Sequence, residues 1–330
     1  MKNILVTGGL GFIGSHTVVE LVEQNYNVII LDNLSNSTTE ILDRIKSITN
    51  TNITFYQGDI LDEEILNYIF MRHNIHSVIH FAGLKSVSES INRPIQYHEN
   101  NVGGTIALLK IMGLHNVKNL VFSSSATVYG NNIAPFTEDL QTGVNITNPY
   151  GKTKYLIEEI LKDLTEWNIF ALRYFNPIGC HPSGILGENP NGIPNNLMPY
   201  LMKVASGQYP LLNVYGDDYN TIDGSGVRDY IHVVDLAKAH VKTLNKFTKG
   251  FTPLNLGTGK GTSVLELIRI FTLVNNIEIS YKICPRRDGD IDISVCDPSK
   301  ANLFLDWKAM LTIEDMCRDS WNFISNHTII

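Results

Sequence analysis

The sequence predicts an α/β protein: a doubly wound parallel sheet with a smaller α/β lobe toward its C-terminal side. Three observations predict it. Short apolar runs alternate with amphipathic stretches to about residue 175; glycines cluster directly after the first run; and the chain turns proline-rich after Asn176. Short, wholly apolar runs fit strands buried on both faces, and strand–helix–strand repetition implies parallel pairing with helices on both sides.

Strands are expected near Ile4–Val6, Val28–Leu31, Ile53–Tyr56, Ser77–His80, Leu120–Phe122 and Ile169–Leu172. Helical patterns fall between them, for example over Ile13–Gln24, Ile95–Gly113 and Tyr150–Glu166. After Asn176, Pro177, Pro182, Pro190, Pro194 and Pro199 mark a loop-rich segment that cannot continue regular layers. Two later stretches read as returns to the sheet: Tyr230–Val234, followed by a helix from Asp235, and Pro253–Leu256 before Gly257. The expected division is therefore 1–176, with returns near 230–257, and a second lobe of 177–229 and 258–330. A ligand cleft is expected between the lobes, at the carboxyl ends of the strands.

The 330 residues carry a net charge of −7, which argues against general binding to nucleic acid or anionic membrane. A phosphate ligand would need local cations or backbone N–H groups. Cys180, Cys284, Cys296 and Cys317 form no CxxC pair and stand at no metal-ligand spacing, so they read as reduced thiols and no metal is expected. The chain opens directly on a strand, without a charged leader or long apolar span, which makes the cytoplasm the expected compartment.

Thr7-Gly8-Gly9-Leu10-Gly11-Phe12-Ile13-Gly14 places Gly9-x-Gly11-x-x-Gly14 between a strand and a helix. Glycines serve the tight turn, the approach of a pyrophosphate and helix–strand packing, and the helix N-terminus faces the phosphates. This is the Rossmann-type arrangement. Asp32 closes the next strand, where a carboxylate meets a ribose 2′-OH and repels a 2′-phosphate, so NAD is expected rather than NADP. Asp59 is placed to reach the adenine, and Phe81-Ala82-Gly83 to run beneath the cofactor.

Tyr150 and Lys154 stand at i and i+4 on one helix face. Making a tyrosine with pKa about 10 a base near pH 7 takes about 4 kcal/mol. One cation at roughly 6 Å, with an effective dielectric near 20, supplies about 2.8 kcal/mol. Lys154 alone falls short, so Tyr150 is expected to be a good base only beside a second positive charge, that of oxidised nicotinamide. Ser123-Ser124-Ser125 ends the upstream strand; Ser125, furthest past the strand end, is the expected hydroxyl partner, with Ser124 the alternative.

The pattern T-G-x-x-G-x-x-G with S…Y-x-x-x-K resembles the extended short-chain dehydrogenase/reductase family. Longer strings, FAGLK from Phe81, FSSSATVYG from Phe122, RYFNP from Arg173, GIPNNLMP from Gly192 and GVRDYIHV from Gly226, resemble its UDP-glucose 4-epimerase branch, from residue 1 to about 325. The resemblance implies reversible C4 epimerisation of UDP-glucose and UDP-galactose with NAD. Tyr150 would take the O4 proton, the C4 hydride would pass to NAD, and a 4-keto sugar would turn before reduction on its other face. Cofactor contacts would then fall on Gly8, Gly11, Phe12, Ile13, Gly14, Asp32, Asn33, Asn36, Ser37, Asp59, Ile60, Phe81, Ala82, Gly83, Lys85, Asn100, Ser125, Tyr150, Lys154 and Phe175. Substrate contacts would fall on Lys85, Ser125, Tyr150, Asn176, Asn195, Asn196, Leu197 and Val214, with Tyr215 near the uracil, Arg228 and Arg287 on the diphosphate, Asp290 on a ribose, and Ser294 at the sugar.

One position departs from that branch. Where bacterial glucose-type enzymes carry a tyrosine five residues past Gly289, this chain has Ser294, which leaves room for a 2-acetamido group and implies UDP-GlcNAc and UDP-GalNAc as further substrates. A 4,6-dehydratase would need an acid/base pair after the strand-end serine, where Ala126 and Thr127 stand. A net reductase would release its cofactor, and an NAD-sensing protein would have no use for Ser125, Tyr150 and Lys154 together. The family resemblance also implies a homodimer formed through Ile95–Gly113 and Tyr150–Glu166.

Overall fold

The computed structural model describes residues 1–330 except 191, 193, 195, 288 and 328–330. Two compact units emerge: Met1–Gly130 with Gln141–Arg173 and Ala237–Leu254, and Asn131–Leu140 with Tyr174–Leu236 and Asn255–Ile330. Strands in chain order are β1 (Asn3–Thr7), β2 (Asn27–Asp32), β3 (Thr54–Gln57), β4 (Ile75–His80), β5 (Asn119–Ser125), β6 (Asn168–Tyr174), β7 (Asn176–Ile178) and β8 (Leu212–Tyr215). They continue as β9 (Val227–His232), β10 (Gly250–Leu256), β11 (Gly261–Ser263), β12 (Tyr281–Cys284) and β13 (Ile293–Ser294).

The first unit holds a seven-stranded sheet in the order β10-β6-β5-β4-β1-β2-β3. β1 pairs in parallel with β2 and β4, β2 with β3, and β4 with β5. Ile4, Leu5, Ile29 and Val78 are wholly buried, which is why these strands read as unbroken apolar runs rather than alternating ones. Strand order reverses between β1 and β4, so the loops leaving the carboxyl ends of these two strands diverge and leave a crevice for a ligand.

The helix Pro149–Lys162 follows from local chemistry. Asn148 caps it, its Oδ1 accepting from the Gly151 N–H at 2.8 Å, and Pro149 occupies the first turn, where its missing N–H costs nothing. Such a cap contributes about 1 kcal/mol. The expected helix Ile95–Gly113 is instead three segments: α-helical Pro94–Tyr97, a wider π turn over His98–Gly103, and α-helical Gly104–Leu114. The wide turn carries Asn101, which is buried and bonds both the N–H and the carbonyl of Leu84, at 2.8 and 2.9 Å.

In the second unit β9 is the hub of a small sheet, flanked by β11 and β13 and also paired with β7, while β8 and β12 form a separate parallel ribbon. The expectation that Tyr230–Val234 returns to the large sheet is therefore corrected; of the two expected returns only Pro253–Leu256 lies there, in β10. A buried apolar run fits either sheet. The partners of β9 are Asn-Pro-Ile, Gly-Thr-Ser and Ile-Ser, too short and polar to register as strands. A second core, containing Leu201, Leu212, Leu267 and Phe271, supports this unit.

Candidate active site

The glycine turn caps β1. Gly8 has φ +69°, and a Cβ there would lie 2.6 Å from the Ala82 nitrogen. A Cβ on Gly14 would lie 2.2 Å from the Gly8 carbonyl, so the helix Phe12–Glu23 packs on the turn through a position only glycine fills. Gly11 differs: its Cβ would meet only the Gly8 carbonyl at 3.3 Å, so a side chain there would fill open space before the helix. Gly11 is the helix N-cap and supplies no capping side chain, which leaves the donors near Phe12, Ile13 and Gly14 available to an anion.

Asp32, buried at the end of β2, accepts from the Leu10 N–H (3.0 Å), the Leu34 N–H (3.0 Å) and the Ser37 hydroxyl (2.9 Å). These bonds tie the turn to the Asn33–Ser37 loop. A carboxylate has about four acceptor sites, so about one is left for a hydroxyl. Asn33 donates to Asp59 at 2.8 Å, joining the loops after β2 and β3, and Asn36 is exposed in the first of them. Ile60 is buried against Gly104. The Phe81 and Ala82 N–H groups both donate to the Thr7 carbonyl, which sets Phe81-Ala82-Gly83 against β1; Lys85 follows, exposed. Asn100 donates to Asn101 at 3.0 Å, and Asn101 in turn donates to Thr153 of the Tyr150 helix at 3.1 Å.

At the end of β5 the two candidate serines have different partners. Ser124 is buried and donates to Glu158 at 2.5 Å. Ser125 Oγ accepts from the Thr127 N–H (3.2 Å) and hydroxyl (3.0 Å), which uses both its acceptor sites and leaves its proton to donate. Burial pushes the Tyr150 phenol pKa up, and Ser125, not Ser124, is the hydroxyl beside it that opposes this. Lys154 is buried; its Nζ donates to the Ser123 carbonyl at 2.6 Å and lies 5.9 Å from the Tyr150 ring centre and 4.8 Å from that of Phe122. Burial pulls the ammonium pKa down to about 8, and Glu158 opposes this. Proton transfer needs a phenol, a hydroxyl donor and a nearby cation, and this corner of the first unit holds all three.

In the second unit, Asp290 lies between two guanidinium groups. Arg287 Nε donates to it at 2.9 Å, and Arg228 approaches to 4.0 Å. Arg228 also donates to the Val227 and Ile291 carbonyls, both at 2.9 Å, whereas Arg287 is half-exposed and lies 4.9 Å over the Tyr215 ring. Ser294 of β13 stands beside Arg228 in the parallel register. Val214 is buried in β8, and Tyr215 ends that strand, exposed. Asn176 opens β7; Phe175 is buried on Phe136. Asn196 stands at the N-cap position of the helix Leu197–Ala205 without a side-chain capping bond, and Asn195 lies outside the described residues.

Sequence reasoning missed Arg286 and Tyr219. The Arg286 guanidinium lies 4.0 Å over the Tyr219 ring and pairs with Asp218 at 2.6 Å and Asp292 at 3.6 Å, fastening the loop after β8 to the segment that carries Arg287. It missed Asn101, Glu158 and Arg173 as well; no local pattern marks them, because each is defined by partners far along the chain. Among the described residues no group of three or more His, Cys, Asp or Glu side chains could hold a metal ion, and no helix is long and apolar enough to cross a membrane.

The chain matches the GDP-mannose 4,6 dehydratase family model over residues 5–320. It is 53% identical to UDP-glucose 4-epimerase of Bacillus subtilis, over 98% of this chain and 97% of that one. Its fold is similar to the crystal structure of UDP-glucose 4-epimerase from Bifidobacterium longum in complex with NAD+ and UDP, with a TM-score of 0.95, 51% identity and 98% of both chains covered. It is similar too to the Stenotrophomonas maltophila UDP-glucose-4-epimerase with bound NAD and formylated UDP-arabinopyranose, with a TM-score of 0.96, 48% identity and 99% of both chains covered.

Proposed function

The chain belongs to the UDP-glucose 4-epimerase family of extended short-chain dehydrogenases/reductases, and on that premise we propose that it interconverts UDP-glucose and UDP-galactose with NAD. The observation that carries the reading is the joining of Ser125, Tyr150 and Lys154 at the end of β5, in the unit that also holds the open glycine turn. The space before Gly11 and the uncapped helix behind it fit a dinucleotide diphosphate, and the spare acceptor of Asp32 fits a ribose hydroxyl. When bound and oxidised, the nicotinamide supplies a hydride acceptor and a second positive charge. Tyr150 takes the O4 proton as C4 is oxidised and returns it after the 4-keto sugar has turned. Ser125 donates to the same oxygen, and Lys154 holds positive charge near the phenol. Arg228 and Arg287 supply the cations that an acidic chain must place locally for a diphosphate. Ala126 and Thr127 after Ser125 offer no acid/base pair for dehydration. Purified protein is expected to retain NAD through gel filtration and to show no net change in its redox state during turnover; stoichiometric release of NADH would mark a dehydrogenase instead.

Ser294 favours a wider sugar range. A short side chain beside Arg228 leaves the volume that a tyrosine would fill, so UDP-GalNAc and UDP-GlcNAc are substrates as well. Coupled assays are expected to show turnover of both UDP-galactose and UDP-GalNAc, and Ser294→Tyr to lose the second selectively. Turnover of UDP-galactose alone would sink this extension.

The assembly proposed is a homodimer in the cytoplasm. The helices Val87–Asn92, Pro94–Tyr97, Gly104–Leu114 and Pro149–Lys162 of the first unit expose Ile91 (60%), Ile95 (81%), Ile106 and Leu156, apolar side chains that a second copy would cover. Sedimentation is expected to give twice the 37.0 kDa chain mass, and Ile95→Glu to weaken the dimer; a monomer at micromolar concentration would contradict it.

A further inference from the structure

Behind the Ser–Tyr–Lys group lies a buried ion pair with no part in the chemistry above. The Glu158 and Arg173 side chains are 0% and 2% exposed. Arg173 grips both carboxylate oxygens, through Nε at 3.0 Å and Nη2 at 2.6 Å, and its Nη1 donates to the Tyr129 hydroxyl at 2.9 Å. Ser124 donates to Oε1 of the same carboxylate. One carboxylate thus joins the Tyr150 helix, β5 and β6.

For stability alone such a pair is a poor device. Desolvating two charges offsets most of their attraction, and apolar side chains of similar volume often serve as well. Its position is more informative. Ser124, which Glu158 holds, sits between Ser123, whose carbonyl receives Lys154, and Ser125, whose hydroxyl meets Tyr150. Glu158 also stands one turn beyond Lys154 on the same helix face. Among the described residues, the other groups around the ammonium bring no further negative charge: the Phe122 ring, the Tyr150 phenol, and His80 of β4, which burial and Lys154 keep neutral with a pKa of about 3.

We infer that Glu158, held by Arg173, is a positioning residue for the reaction: it sets the strand end that presents the Ser123 carbonyl and the Ser125 hydroxyl, and it keeps the buried Lys154 ammonium charged. The inference rests on the epimerase reading. Burial pulls the Lys154 pKa down and Glu158 raises it, the direction this role requires.

The test is Glu158→Gln in the full-length protein, with wild type alongside. It is expected to lower kcat by at least about tenfold with KM for UDP-galactose within about twofold, since small misplacements of reacting groups cost up to about 100-fold. The alkaline limb of the kcat profile should move to lower pH as Lys154 loses its proton more easily. The tyrosinate absorbance of Tyr150, taken as the difference from a Tyr150→Phe background, should appear at higher pH, a readout independent of turnover. Where Glu158→Gln does not fold, Glu158→Met/Arg173→Met keeps the net charge and an apolar filling; it too is expected to lose about tenfold or more in kcat while its Tm stays near wild type. A folded Glu158→Gln with wild-type kcat, pH profile and tyrosinate onset would overturn the inference, as would a fully active double variant. A wild-type protein inactive on UDP-galactose would overturn the epimerase reading instead, and the tyrosinate onset would still test the role of Glu158.

Discussion

Replacing Tyr150 with phenylalanine is expected to lower kcat by about 1,000-fold or more, within the range of about 100 to 10,000 attributed to a positioned acid/base. The change removes one hydroxyl and keeps the ring near Lys154. Neither the glycine turn nor Asp32 depends on that hydroxyl, so NAD content in the purified variant should match wild type. Lys154 and Ser125 cannot substitute. The charged Lys154 ammonium, one of whose N–H groups is held by the Ser123 carbonyl, has no lone pair with which to take a proton, and Ser125 already accepts two bonds from Thr127. Turnover and NAD released on denaturation check both halves; more than about a tenth of wild-type kcat would remove Tyr150 from the acid/base role.

Arg287→Ala is expected to act on binding instead. Losing one charge-assisted contact to a diphosphate costs about 1.5–3 kcal/mol, which raises KM for UDP-galactose by roughly 10- to 150-fold with kcat at saturation nearly unchanged. Arg287 suits this test better than Arg228. Its half-exposed guanidinium touches only Asp290 and Tyr215 in the contacts described above, whereas Arg228 also bonds the Val227 and Ile291 carbonyls and its loss would disturb β9 and β13. A fall in kcat at unchanged KM would place Arg287 outside the diphosphate site.

The large sheet was legible because parallel strands buried on both faces must be short apolar runs, as Ile4–Val6 and Val28–Leu31 are. The glycine turn was legible for a related reason: Gly8 and Gly14 stand where no side chain fits. Tyr230–Val234 was assigned to the wrong sheet because its apolarity records burial and not the partner. Ser124 and Ser125 are indistinguishable as letters; only Glu158, 34 residues after Ser124, separates a hydroxyl facing the interior from one facing Tyr150. Arg286 and Arg287 are adjacent and identical in type, yet the first fastens a loop through Asp218 and Tyr219 while the second, with Arg228, flanks Asp290. Partnership over long sequence distance is what motifs leave out.

Product analysis by NMR of UDP-galactose incubated with the purified protein, without added cofactor, decides whether the chain inverts C4. The expected result is a mixture of UDP-galactose and UDP-glucose, inverted only at C4, with C6 still bearing its hydroxyl and no NADH accumulating. A 4-keto-6-deoxy product, or unchanged UDP-galactose from a folded protein that contains NAD, would contradict it.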